Sequence, residues 1–285
     1  MKIPKRIEPL VEAGLVDAVM RQLMSGKEAM IYVVRCGEEV RCAKVYKEAN
    51  LRSFRQSVDY TEGRKVKNTR RARAMEKGSR YGRKAKEEAW QSTEVDALYR
   101  LAAAGVRVPK PYDFVDGVLL MELVTDGEGR PAPRLNDVVL TPEQAREFHS
   151  TLIREVVRML CAGVVHGDLS EYNVLVGGEG PVIIDLPQAV DAAGNAHASS
   201  MLDRDVGNLT RYFGRFAPEL LDTEYAKEIW SLYKSGKLFP EIELTGRYVR
   251  IEKPVDVGSV MREVDDALKE EAARRLYREE MGQKS

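Results

Sequence analysis

Apolar positions alternate along the first half of the chain and follow helical spacing along the second. Glu8 to Val19 predicts a short helix. Ala29–Val34 and Val40–Tyr46 are β-rich runs on either side of Gly37 and predict a hairpin. Glu87 to Ala104 is built of good helix formers, stops at Gly105 and sets Trp90, Leu98 and Leu101 on one face. Val106–Val108 and Val118–Leu123 flank "KPYDFVDG", whose Asp116-Gly117 is a hairpin-turn signal. The first half therefore predicts an antiparallel sheet with one helix packed on it. The Gly/Pro-rich run Thr125–Arg134 reads as a connection to the helical half. There Thr141 is placed as N-cap, Pro142 as first helical residue, Gln144 as capping partner and Gly163 as stop. Val174–Val176 and Val182–Ile184 predict two short strands around "GGEGP". Pairing Val176 with Val182 would set Asn173 opposite Asp185. Gly258–Gly282 reads as a charged amphipathic helix, expected to pack on its own domain.

Several polar residues interrupt this pattern. Lys44 sits among Cys42, Ala43 and Val45 in a strand, where it is either an ordinary solvent-facing residue or a buried cation with a partner. Glu94 lies on the apolar stripe of the 87–104 helix, a costly place for a carboxylate unless a cation meets it, and Lys44 is the earlier residue in need of such a partner. "VVHGDLSEYNVLV", Val164–Val176, exposes a histidine, two acids and an asparagine between apolar runs. Asp168 on the loop, with Asn173 and Asp185 at the strand ends, suits a divalent ion carrying phosphates, because magnesium takes one or two carboxylates plus substrate oxygens. Asp168 is then free to accept a proton from an attacking hydroxyl or water. The competing reading of these three residues is turn and cap chemistry. His166 reads as a hydrogen-bonding residue that packs the loop, while His149 and His197 offer nothing specific.

Composition adds one feature. The 285 residues, 44% hydrophobic, suffice for one large domain or two lobes with a shared core. No apolar stretch reaches the ~18 residues of a membrane span, and no signal-type run follows Met1, so a cytoplasmic location is expected. The three cysteines, Cys36, Cys42 and Cys161, have neither disulfide nor zinc spacing. The formal charge is zero, yet Arg64–Lys86 holds eleven basic residues against Glu76 alone, leaving 34 basic and 44 acidic side chains elsewhere. Poor in large apolar groups, this stretch is expected to be a flexible insertion at residues 59–86. Its basic run, Arg64–Lys86, is either merely solvated or a surface for RNA or an acidic partner, with only Tyr81 in the run to stack on bases.

Taken in order, the motifs resemble those of the RIO-type atypical serine protein kinases, in the branch with an S/T-G-K-E-A nucleotide loop and no N-terminal winged helix. "SGKEAMIY" (Ser25–Tyr32) is similar to the nucleotide loop, "HGDLSEYN" to the catalytic loop, "IIDLPQAV" (Ile183–Val190) to the metal-Asp segment and "DRDVGNLTRYF" (Asp203–Phe213) to the helix after it. The likeness runs from about Leu15 to Phe239. It implies a bilobal, kinase-like α+β fold: an ATP-binding lobe over 1–124, a connection over 125–134 and a catalytic lobe over 135–285. It further implies Mg2+ (or Mn2+) with ATP as substrate, and it places Ser25, Gly26 and Lys27 near the phosphates, with Lys44 and Glu94 as the phosphate-orienting ion pair. Met121 and Leu123 would bound the adenine-facing hinge, Asp168 would be the catalytic acid residue, and Asn173 and Asp185 the metal ligands. Asp185 could also take the phosphoryl group as an aspartyl-phosphate, making the chain a serine kinase, an ATPase switch, or both. Ribosomal or RNA partners follow from the same resemblance.

Departures from ordinary kinases are plain: no G-x-G-x-x-G loop, Asp185-Leu186-Pro187 in place of Asp-Phe-Gly, and Ser170 where lysine is common. Ala217-Pro218-Glu219 imitates the end of an activation segment but reads as a helix start. A P-loop NTPase is excluded because Glu28, not Ser or Thr, follows Gly26-Lys27. The alternatives are a small-molecule phosphotransferase of the aminoglycoside or choline kinase type, which shares the H-G-D-x-x-x-x-N arrangement, and a binding module in which ATP closes the lobes around RNA or protein.

Overall fold

The computed structural model describes residues 3–26, 28–47 and 93–248. The chain forms two compact units, Met1–Arg247 and Tyr248–Ser285, and every element below belongs to the first. Lys27, Trp90, the basic insertion and the helix expected over Gly258–Gly282 lie outside the described residues.

Five antiparallel strands form one sheet in the order β1-β2-β3-β5-β4. They are β1 (Ala18–Ser25), β2 (Ala29–Cys36), β3 (Glu39–Tyr46), β4 (Pro111–Val115) and β5 (Val118–Glu122). The β2–β3 hairpin forms where alternation predicted it, with Lys44 opposite Ile31 on one side and Leu119 on the other. Period-two geometry then sorts β3 by face. Ala43 and Val45 pack with Ile7, Leu10 and Val16 on one side, while Lys44 and Tyr46 face helix α2, described over 93–103. In α2, Leu98 and Leu101 are buried as expected, and Gly105 follows at φ 73.

Two expected elements differ. The first helix, α1, spans only Glu8–Glu12 rather than reaching Val19. Gly14 turns the chain at φ 71, and Asp17 N–H bonds Arg35 O at 2.8 Å, so the following residues enter β1 instead. That strand is mostly solvent-facing, and Arg21 and Gln22 break its apolar positions into pairs, which hid it from a reading based on apolar runs. Val106–Val108 bends, with Val108 N–H on Val106 O at 2.9 Å, and joins no strand. The Arg107 N–H is taken by the Glu155 carboxylate at 2.9 Å and its carbonyl by Ile183 N–H at 3.0 Å, so the strand preceding the Asp116-Gly117 turn is Pro111–Val115.

The second half carries α3 (Pro142–Cys161), α4 (Ala198–Phe213) and α5 (Tyr225–Lys234). Thr141 and Gln144 form the expected capping box, with bonds of 3.2 and 3.0 Å, and Gly163 follows α3 at φ 73. Pro218 does open a helical turn, but a short 3-10 one, Pro218–Asp222. Two small antiparallel pairs sit among the helices: β6 (Val164–Val165) with β9 (Val190–Asp191), and β7 (Val174–Gly177) with β8 (Gly180–Ile183). One continuous core joins Tyr46, Leu98, Leu101 and Leu119 to Leu152, Leu160, Leu169, Ile183, Leu209 and Phe213. Truncating such a leucine to alanine costs about 2–5 kcal/mol. The result is the kinase-like α+β fold, sheet-rich first and helical afterwards, with the buried Lys44 end of β3 meeting the segment that follows β8.

Candidate active site

Lys44 and Glu94 are both buried, with 8% and 4% of their surface accessible, and they meet as an ion pair between Nζ and Oε1. The other Glu94 oxygen accepts a hydrogen bond from the Tyr46 hydroxyl at 2.7 Å. Tyr46 lies two residues beyond Lys44 in β3, so strand alternation aims both side chains at the same carboxylate. Lys44 Nζ also donates to Asp185 Oδ1 at 3.0 Å. Burial works against the ammonium, but the two carboxylates outweigh it and hold Lys44 well above its ordinary value. One cation thus ties the sheet, α2 and the segment after β8.

Across the cleft, the chain leaves β6 through His166, Gly167 and Asp168. Gly167 adopts φ 82, a conformation that glycine takes without steric cost, and its N–H donates to Asp205 at 2.7 Å. The N–H of Leu169 donates to the other Asp205 oxygen at 3.0 Å, Asn208 Nδ2 donates to Leu169 O at 3.0 Å, and Arg204 donates to Gly167 O. Helix α4 therefore grips the loop by its backbone. His166 is buried and structural, as its sequence context suggested. The contacts suit the tautomer protonated at Nε2, which donates to Ile184 O at 3.1 Å while Nδ1 accepts from Asp168 N–H at 3.3 Å. Asn173 Nδ2 donates to Asp168 O at 2.8 Å and lies 3.5 Å from its Oδ2.

The hairpin beyond differs from expectation by one residue. Leu175 pairs with Val182 and Val176 with Pro181, so Asn173 faces Ile184 rather than Asp185, and Ile184 N–H bonds Asn173 O at 3.0 Å. The turn between Gly177 and Gly180 fixes this register. A one-residue slip would ordinarily send Asp185 to the opposite face. Instead Asp185 takes a left-handed backbone, φ 67, rare for a residue with a side chain, and its carboxylate reaches Lys44.

The two cleft acids are pushed in opposite directions. Asp185 is held below the ordinary carboxylate range, chiefly by the Lys44 ammonium. Desolvation raises Asp168, offset in part by His166 and Arg204. Such divergence separates an acid kept ionised for charge stabilisation from one able to carry a proton.

Ser25 and Gly26 stand at the β1–β2 turn, where Lys47 Nζ contacts the Ser25 hydroxyl at 3.3 Å and donates to Gly26 O. Met121 lies in β5 opposite Cys42, and Leu123 follows where that strand leaves the sheet. Among the described residues, no hydrogen bond or ion pair joins these four to Lys44, Glu94 or Asp185. Among the described residues no group of three His, Cys, Asp or Glu side chains could hold a metal unaided. Asn173 and Asp185 thus offer one amide and one carboxylate oxygen, a set that suits magnesium completed by phosphate oxygens. Also among the described residues, no helix is long and apolar enough to cross a membrane.

Reading the sequence missed Asp205, Tyr46 and Lys47. Asp205 had a detectable signal, since it lies four residues from both Met201 and Leu209 on the apolar stripe of α4, as Glu94 does on α2.

A family model for the RIO domain matches residues 30–226. The chain is 38% identical over 212 residues to the RIO-type serine/threonine-protein kinase Rio1 of Haloferax volcanii, covering 73% of this chain and 68% of that protein. To the protein of the same name in Methanocaldococcus jannaschii it is 32% identical over 221 residues, 77% of this chain and 69% of that one. It is 31% identical over 208 residues to the human serine/threonine-protein kinase RIO1, of which the match spans only 35%.

Proposed function

The chain belongs to the RIO domain family and is a kinase. From that premise we propose that it is a Mg-ATP-dependent atypical serine protein kinase whose cleft also works as an ATPase switch. The observation that carries this reading is Lys44 bridging Glu94 and Asp185, which sets a fixed cation beside an ionised acid at the mouth of the hairpin. Residues 1–124 form the nucleotide-binding lobe, 125–134 the connection and the rest the catalytic lobe.

Lys44 neutralises the α- and β-phosphates, while Ser25, Gly26 and Lys27 border the phosphates and Met121 and Leu123 the adenine. Mg2+ held by Asn173 and Asp185 would supply further charge neutralisation on the phosphates. Asp168 accepts the proton of a serine hydroxyl as that oxygen bonds the γ-phosphorus and ADP leaves. In the switch mode an Asp185 carboxylate oxygen forms the bond to phosphorus instead, ADP leaves, and water later releases phosphate. Autophosphorylation and a cytoplasmic role in ribosome assembly belong to the same proposal, with the basic insertion Arg64–Lys86 as the surface for RNA or ribosomal protein.

Following the terminal phosphate of labelled ATP through native protein, Asp168→Ala and Asp185→Asn tests it. Hydroxylamine-labile label absent from Asp185→Asn supports the switch. Stable label that depends on Asp168 supports the serine kinase. Neither label nor phosphate release in native protein would sink both modes.

A further inference from the structure

One cation of the connecting segment has donors to spare at the edge of the cleft. Arg134 lies between Pro133, whose carbonyl accepts from Val176 N–H at 2.8 Å, and Leu135, whose carbonyl accepts from the Tyr212 hydroxyl at 2.7 Å. Arg134 itself makes an isolated bridge to Leu175. Its backbone is therefore fixed against the hairpin that positions Asn173 and Asp185. The side chain reaches the other wall, where Nη2 stands 3.5 Å from the Met24 sulfur, next to Ser25 and Gly26 in the β1–β2 turn. A thioether is a weak acceptor for a guanidinium with five N–H donors. The Nε of Arg134 is buried and has no hydrogen-bond partner among the described residues. Arg134 also helps hold the Asp185 carboxyl in its charged form.

A guanidinium standing between the phosphate-side turn and the metal-side acid, with a buried donor unmade, is incomplete without an anion. Leaving that donor unmatched costs free energy until an acceptor arrives, and the fork of a guanidinium matches phosphate oxygens in pairs. We propose that Arg134 is a phosphate-contacting residue of the nucleotide site, donating Nε–H and an Nη–H to oxygens of the terminal phosphates, with Met24 as the apolar rest for its side chain. This rests on the nucleotide-binding reading above and deepens it, since it makes the connecting segment sense the polyphosphate rather than merely join two parts of the chain.

Isothermal titration of the full chain, native against Arg134→Met, with Mg-ATP, Mg-ADP and AMP tests the assignment. The expected result is ATP affinity lowered about ten- to hundredfold, the loss of one or two charge-assisted hydrogen bonds, with AMP affinity unchanged. The nucleotide-free melting temperature should not fall, because the change removes a donor that had no partner. If it does fall, Arg134→Lys, which keeps a point charge without the fork, carries the same comparison and should lose several-fold. A loss with ATP alone puts the contact at the γ-phosphate and a loss with both ATP and ADP at the β-phosphate, and either supports the proposal. Equal ATP affinity, or a loss shared equally by AMP, overturns it while leaving the parent reading intact. Native protein that binds no ATP overturns both.

Discussion

Glu94 and Asp205 are about equally buried, 4% and 1% accessible, yet the two walls of the cleft accommodate them by opposite means. Glu94 meets an ammonium and a phenol, so its charge is cancelled by a neighbour that Asp185 also shares. Asp205 meets chiefly peptide N–H groups, those of Gly167 and Leu169, and burial pushes its carboxyl up to about 6. The first arrangement sets the electrostatics of the cleft, because the Lys44 that pairs with Glu94 also holds the Asp185 carboxyl below its ordinary range. The second sets its shape, because two N–H groups of the loop, those of Gly167 and Leu169, are hung on one side chain. A carboxylate on an apolar helical stripe therefore has two solutions here, a cation with a phenol for Glu94 and peptide N–H groups for Asp205.

Breaking the charge-based wall should have the largest effect on stability. Lys44→Met strands Glu94 without its cation, and urea denaturation should show a loss of about 3–5 kcal/mol. Adding Glu94→Gln, whose amide still accepts from Tyr46, should recover most of it. A double variant as unstable as the single one would mean that the charge is not what matters. Breaking the backbone-based wall is milder: Asp205→Asn keeps one acceptor oxygen and leaves only one of the two buried N–H groups unmatched, about 1–3 kcal/mol. Phosphate turnover should fall alongside, with nucleotide affinity little changed, which separate measurement of turnover and ATP binding checks.

The pH dependence sharpens the contrast. The folded-state value of Asp205, about 6, lies above its ordinary 3.8, so the folded chain binds this proton more tightly. Its contribution to stability accordingly falls as pH rises from about 4 to 6. His149, buried against Phe213 and Tyr225, has the opposite displacement, lowered from 6.5 to about 4 by desolvation. Its contribution rises with pH over nearly the same window. The two trends offset each other in the native protein, so Asp205→Asn should make stability climb more steeply between pH 4 and 6.5, as thermal melts across that range would show. An unchanged slope would remove Asp205 from the account. The smallest effect belongs to an ion pair at the surface: Arg100 and Asp191, 3.5 Å apart and half accessible, should yield about 0–1 kcal/mol when Arg100→Ala is compared with native protein.

Much of the cleft was legible in the residues. The Lys44–Glu94 pair followed from two costs that each asked for the other, and the capping box at Thr141 and the turn at Asp116-Gly117 followed from local backbone chemistry. Local and periodic signals survive in one dimension because the energies behind them involve neighbours three or four residues apart, or the alternation of a single strand. Errors fell where a distant group decided. Residues 106–108 have strand composition, but Glu155 and Ile183 claim the backbone of Arg107. The exposed strand β1 exists because β2 offers it an edge.

Sequence alone thus determined the β2–β3 hairpin, the capped start of α3 at Thr141 and the need for Lys44 and Glu94 to meet. Tertiary structure decided that Lys44 also takes Asp185, that Asp205 holds the loop and that Arg134 spans the cleft. Each of those links joins residues roughly 40 to 140 positions apart. Asp185 shows why most clearly: the hairpin register alone would have turned it away, and its left-handed backbone at φ 67 is sustained by contacts that exist only once the sheet and the hairpin are packed together.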